Sequence, residues 1–376
     1  MRVSVSALDA PNSATITMST PQRLPGLDAL KGLACALIVW HHLAFYGPMS
    51  DVVYASAPGL MDWLYDYGRM AVQLFLVVGG FLAAASLAPQ GRAVFESPGP
   101  LILRRYARLV KPYLVALAAS ILVATLLRPW FDHSSVPASP TLFQLVAHGL
   151  LLQDVLGQES LSAGVWYVAM DFQLYAMAVL LFAAARPLRI GTAVSAGAMA
   201  VLLVALLSLL VFNRQASFDI TALYFFGAYA LGMLAFWASR EAGARRGFWL
   251  AVIVALGVLA LVLEFRGRLV VAVVTALVLV WLSGARRDAW PLRWLQQRPL
   301  QHLGRISYSV FLIHFPMCLL ANAVVSHFWP TQPAVNALGM LGAFTLSLLA
   351  GQALYRWVES VPLPVALARL RRPSSP

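Results

Sequence analysis

The sequence predicts an all-α fold, a polytopic helical membrane bundle of about ten transmembrane helices plus a re-entrant or interfacial segment. Three observations predict it. Of the 376 residues, 60% are hydrophobic and 11% charged, whereas a soluble domain carries roughly 25% charged residues. Mean hydropathy is +0.76. The apolar residues also gather into stretches near the roughly 20 residues that cross a bilayer core. The formal charge of +12 raises nucleic acid as a partner, but the cations sit in short loops between apolar stretches, which is the pattern of membrane orientation. No nucleic-acid partner is implied. Cys35 and Cys318 both fall inside expected spans and read as small buried apolar residues, not as a disulfide framework.

Taken in order, residues 1–22 are polar and rich in Ser, Thr, Ala and Pro, and read as a disordered cytoplasmic tail without the pattern of a cleavable signal. The membrane domain is expected over 23–359, and a short basic cytoplasmic tail over 360–376. The first span is Leu27–Tyr46. A loop, Pro48–Tyr67, then carries an amphipathic piece from Leu60 whose aromatics suit a membrane interface. Span two covers about Arg69–Ala88, with Gly79-Gly80 permitting close helix contact. A basic connection with Arg92, Arg104, Arg105 and Arg108 leads through Lys111-Pro112 into span three. Thr141–Leu156 is apolar but too short to span, and reads as re-entrant or interfacial. Seven more spans are expected near Val165–Ala185, Thr192–Phe212, Ile220–Ala238, Phe248–Leu263, Leu269–Leu282, Ile306–Val325 and Val335–Tyr355. Ten spans put both termini on one side. Of the 27 Lys and Arg, only Arg69, Arg128, Arg214, Arg266 and Arg268 fall on the other, so the positive-inside bias places both termini in the cytoplasm.

Ionisable residues inside spans are costly and by default functional. Three polar stripes stand out. The first is Asp28, Lys31 and His42: eleven positions separate Lys31 from His42, three helical turns plus roughly 20°, so the two share a face about 16 Å apart along the axis. Asp28 is three residues from Lys31, an ion-pair spacing, and His41 points about 100° away from His42 and reads as structural. The second stripe is Tyr167, Asp171 and Tyr175, spaced by four; the third is Ser307 and His314, spaced by seven. Histidines, a carboxylate and hydroxyls buried in a bundle supply what proton transfer needs. The bland alternative is that each is a satisfied buried polar group. No metal-ligand spacing, CxxC, HExxH or phosphate-cradling glycine loop is present.

These stripes carry a resemblance. Leu27-Asp28-Ala29-Leu30-Lys31-Gly32 followed by His42, then Gly79-Gly80-Phe81, Arg105 and Arg108 ahead of Pro112, Trp166-Tyr167 through Asp171-Phe172, and Leu303-Gly304, Ser307-Tyr308, Phe311-Leu312 and His314 occur in that order. Together they resemble acyltransferase family 3, integral membrane acyltransferases that modify sugars and other extracytoplasmic polymers. The resemblance runs from Arg23 to about Glu359. It departs from the family's common pattern at Lys31, where arginine is commoner, at Asp171, where glutamate is usual, and at Gly79, where serine is usual.

The resemblance implies an O-acyltransferase of a bacterial inner membrane that takes an acyl group, commonly acetyl, from cytoplasmic acyl-CoA as co-substrate, with no permanently bound cofactor and no metal. Delivery would be to a hydroxyl of an extracytoplasmic carbohydrate or glycoside, directly or through a separate periplasmic transferase. Lys31, Arg105 and Arg108 would hold the CoA phosphates. His42 would act as general base or transient acyl carrier, with Asp171 orienting its imidazole. Tyr167, Tyr175, Ser307 and His314 would line the substrate path. The rival reading is a transporter or flippase of a glycan or lipid-linked precursor that uses the same stripes as a relay.

Overall fold

The structure is a computed structural model and describes residues 25–188, 194–285 and 290–362. The tail expected over 1–22, and nearly all of that over 360–376, lie outside them. Among the described residues the chain is helical without strands, and ten helices or near-continuous helix pairs are long and apolar enough to cross a membrane. The bundle is that of an integral membrane protein. With an even number of spans, Pro25 and Glu359 lie at the same face, termed here the terminal side; the opposite face is the far side.

The first span is α1 (Pro25–Phe45). The stretch expected to follow it as a loop with an interface helix from Leu60 folds as two short helices, α2 (Pro48–Tyr54) and α3 (Pro58–Tyr67), the second carrying that amphipathic piece, and α3 runs through one 3-10 turn into α4 (Ala71–Leu87). Trp63, Tyr65 and Tyr67 on α3 stay about half exposed, as interface aromatics do. The third span, α5 (Pro98–Leu127), corrects the sequence reading: Arg104 to Lys111 is not a connection but the first half of a 30-residue helix. Positive charge marks a membrane edge without ending a helix. Pro98 starts this one in the first turn, and Pro112 is accommodated inside it. At about 45 Å it outreaches the hydrocarbon layer of about 30 Å.

The segment expected to stop short of spanning does so. Only α6 (Leu142–Gly149) is helical, opened by a reciprocal cap between Thr141 and Gln144. His148 knits it down, with Nδ1 donating to the Gln144 carbonyl at 2.8 Å and Nε2 accepting from the Leu161 N–H at 3.2 Å. The remaining spans are α7 (Val165–Ala185), α8 (Ala196–Leu210), α9 (Ala222–Arg240), α10 (Gly243–Leu263), α11 (Gly267–Gly284) and, after the short α12 (Trp290–Leu295), α13 (Arg298–Phe328) and α14 (Pro333–Leu354). Helix α9 is the most enclosed, sheathed by α4, α8, α10 and α11. It meets α4 at glycines: a Cβ on Gly80 would sit on the Tyr229 carbonyl, and one on Gly232 on that of Val77.

Helices α1 and α13 run parallel and are registered at four levels. A Cβ at Gly304 would overlap the Asp28 carbonyl, so the backbones touch there. Higher up, Cys35 Sγ–H donates to the Ser307 carbonyl at 3.3 Å, and His42 meets His314. At the far end Asn322 donates to the Tyr46 and Cys318 carbonyls at 3.2 and 3.0 Å and accepts from the Met49 N–H at 3.1 Å. Gly47, at φ 102°, makes the reversal against that side chain, which leaves no room for a Cβ. The last turn of α1, and with it His42, is thereby pinned to α13.

Candidate active site

A cavity of about 670 Å3 opens on the far side of the bundle. Its floor is His42, Ile38 and Phe311; Trp166 and Phe225 form walls, and Arg69, Asp154, Asp219 and Arg268 stand around it. These come from the end of α1, the α3–α4 turn, the 150–164 connection and the links α8–α9 and α10–α11, all at one face. Arg268 is occupied, its guanidinium over the Tyr224 ring at 4.8 Å and donating to the Asn213 carbonyl. Arg69 is exposed and has no hydrogen-bonded partner among the described residues. Asp154 lies in the connection outside the spans, where burial, with Asp219 adding to it, raises its pKa from the ordinary carboxylate value.

Both histidines of α1 line the cavity. His41 Nδ1 donates to the Leu64 carbonyl at 2.9 Å and ties α3 to α1. His42 is buried, with Nδ1 2.5 Å from Nε2 of His314. The ring centroids are 4.8 Å apart and the planes within 10°; the excess over the N···N distance is taken up by the two ring radii, so the rings meet edge to edge. His314 Nδ1 in turn faces the Phe311 carbonyl at 2.7 Å. Pro316, two residues on, lacks the N–H that would bond the Leu312 carbonyl of α13.

A second polar level lies deeper. Arg105 pairs with Asp171 at 2.5 Å and covers the Tyr175 ring at 5.1 Å. Between this pair and the histidines sits an aromatic layer, Phe75, Tyr167 and Phe311, with mutual centroid distances of 5.8, 6.1 and 5.4 Å.

The sequence-derived residues therefore separate into groups, with four corrections. Asp171 does not orient His42; it is engaged by Arg105, and the partner of His42 is His314. Two of the three expected phosphate-binding cations face carboxylates already, Arg105 with Asp171 and Lys31 with Asp28 at 2.7 Å. Arg108 is exposed and has no hydrogen-bonded or ion-paired partner among the described residues, though it lies in the field of Glu359. Ser307 spends its hydroxyl on the Gly304 carbonyl, at 2.9 Å, within its own helix; none of Tyr167, Tyr175, Ser307 and His314, expected along the substrate path, lines the cavity itself. Finally, the α1 face joining His42 to Lys31 is not an open path: Cys35, Ile38 and Val39 fill it at 0–1% exposure. Sequence reasoning missed the aromatic layer and the cavity walls. The Phe311 and Trp166 positions adjoin recognised motifs, which was the available signal.

The fold and the site define an α-helical membrane protein with a histidine-floored cavity on one face and cations on the other. The chain belongs to acyltransferase family 3, whose model, described as an acyltransferase domain, matches residues 24–356. It is an integral membrane acyltransferase for groups other than amino-acyl groups, which decides against the transporter reading. No curated protein and no solved structure matches the chain.

Proposed function

We propose that the protein moves an acyl group, acetyl in the first instance, from acyl-CoA at the terminal side to a hydroxyl of a carbohydrate or glycoside seated in the far-side cavity. The observation that carries this reading is the position of His42. Its ring forms the floor of the cavity, and its Nε2 has no hydrogen-bond partner among the described residues. That nitrogen is placed to take a proton from an acceptor hydroxyl or to carry the acyl group briefly. Trp166 offers a flat apolar wall, and Asp154 and Asp219 offer acceptors for sugar hydroxyls. The charge bias supports a terminal side facing the cytoplasm, where acyl-CoA is made, and the family resemblance supports a bacterial inner membrane. There Arg108 leads CoA phosphate binding, with Lys31 and Arg105 contributing as their carboxylates are exchanged for phosphate. In the resting state Asp171 holds Arg105.

Membranes carrying the protein, given labelled acetyl-CoA, transfer label to the carbohydrate fraction, and His42→Ala lowers this by about 100-fold or more. Arg108→Ala weakens CoA binding. Transfer at the wild-type rate by His42→Ala overturns the role of the imidazole; unchanged CoA affinity in Arg108→Ala overturns the phosphate contact.

A further inference from the structure

We infer that His314 sets the tautomer of His42 and stabilises the imidazolium formed when His42 takes a proton, so that the site works through a histidine–histidine pair instead of a histidine–carboxylate pair. The inference rests on the proposed role of His42 but is read from three hydrogen-bonding facts. The Phe311 carbonyl can only accept, so His314 Nδ1, 2.7 Å from it, carries a hydrogen. In a neutral ring the lone pair is then on Nε2. That atom is 2.5 Å from His42 Nδ1, which must therefore be the donor. His42 is left with its lone pair on Nε2, the nitrogen without a partner, on a ring that floors the cavity. A backbone carbonyl of α13 thus dictates, through two rings, which nitrogen of α1 is the base.

The edge-to-edge geometry suits this chain, because a ring N–H and a ring lone pair each point outward in their own ring plane, and a centroid separation of 4.8 Å over an N···N distance of 2.5 Å puts the two in line. Among the described residues no carboxylate is hydrogen-bonded to either ring: Asp171 is engaged by Arg105, and Asp154 accepts from the Gln153 amide. In the reaction the acceptor O–H gives its proton to His42 Nε2 as its oxygen bonds to the thioester carbonyl carbon. The C–S bond breaks, and the same proton passes to the leaving sulfur. While His42 is protonated, its Nδ1–H···Nε2 bond to His314 becomes charge-assisted. His314 is therefore a positioning residue, with the role that a buried aspartate has beside a catalytic histidine.

The test combines kinetics with a readout independent of activity. In 15N-histidine spectra of the full-length protein in nanodiscs, assigned with His42→Gln, His42 shows a protonated Nδ1 and a bare Nε2. In His314→Phe, which fills the site but cannot accept, that pattern is lost. The variant's kcat for acetyl transfer falls about 100-fold with the KM for acetyl-CoA nearly unchanged. His314→Gln, whose amide oxygen can accept from Nδ1–H, recovers both the spectrum and part of the rate. A wild-type spectrum with the proton on His42 Nε2, or His314→Phe and His314→Gln equally impaired, overturns the inference. Full activity in His42→Ala with the expected wild-type spectrum would instead overturn the catalytic reading and leave the tautomer assignment standing.

Discussion

The Arg105–Asp171 pair allows a test of how this bundle tolerates charge. Its N···O distance is 2.5 Å and its side chains are 27% and 11% exposed. With charge centres about 4 Å apart, an effective dielectric near 20 gives an attraction of about 4 kcal/mol. Asp171→Asn keeps the shape and removes the charge, leaving a guanidinium that cannot give up its proton beside the Tyr175 ring alone. Breaking a buried pair in this way costs about 3–5 kcal/mol. Arg105→Met leaves a carboxylate, which can relieve its own burial by taking up a proton, so its cost is expected to be the smaller. The double variant removes both charges and is expected to lie above Asp171→Asn. The assay is thermal unfolding in detergent followed with a thiol-reactive fluorophore. It suits this chain because Cys35 and Cys318 are both buried at 0% exposure and react only on unfolding. If Asp171→Asn melts with the wild type, or if the double variant is the least stable of the three, the pair is not what offsets the charges.

Other outcomes follow from the same structure. Gly80→Ala, which drives a methyl into the Tyr229 backbone at the α4–α9 crossing, is expected to cost about 1–3 kcal/mol; Gly59→Ala, with open space around it, is expected to be neutral in the same melt. The raised pKa of Asp154 means that its protonated form stabilises the fold below the unfolded value, and that this is lost as pH rises through the folded one. Asp154→Asn is therefore expected to melt above the wild type at neutral pH and alongside it below about pH 4, checked by melts across that range. Asn322→Leu removes three hydrogen bonds at the end of α1 and is expected to cost about 2–4 kcal/mol and lower transfer, read in the melt and the label assay.

The architecture was largely legible because lipid imposes a simple rule on sequence: a span must be apolar and long enough, and its ends carry the charge. Val165–Ala185 has the same limits in the sequence reading and in the structure. The rule fails where a helix outruns the membrane, as α5 does with its basic first half. The site was legible by residue and not by partner. Periodicity places Lys31 and His42 on one face, but what covers that face is decided by α13, whose contacts bring Ser307 against Cys35. Arg105 and Asp171 are 66 positions apart, and His42 and His314 are 272 apart. Spacing within one helix gives an angle and never a neighbour.

The two polar levels make different demands, and the aromatic layer reconciles them. A base that accepts a proton must be open to its substrate, and the far-side cavity opens His42 to it. A charged pair at depth must be closed to water, because its attraction weakens as the surrounding dielectric rises. Were the two joined by a standing channel, the cavity would solvate Arg105 and Asp171 and the bundle would conduct. Phe75, Tyr167 and Phe311 stand between them, and each comes from a different helix, α4, α7 and α13. Phe311 belongs to both levels at once. Its ring closes the layer, and its carbonyl holds the His314 ring against which His42 is set. Any shift of α13 that opens the layer must therefore also move the carbonyl on which the histidine pair depends.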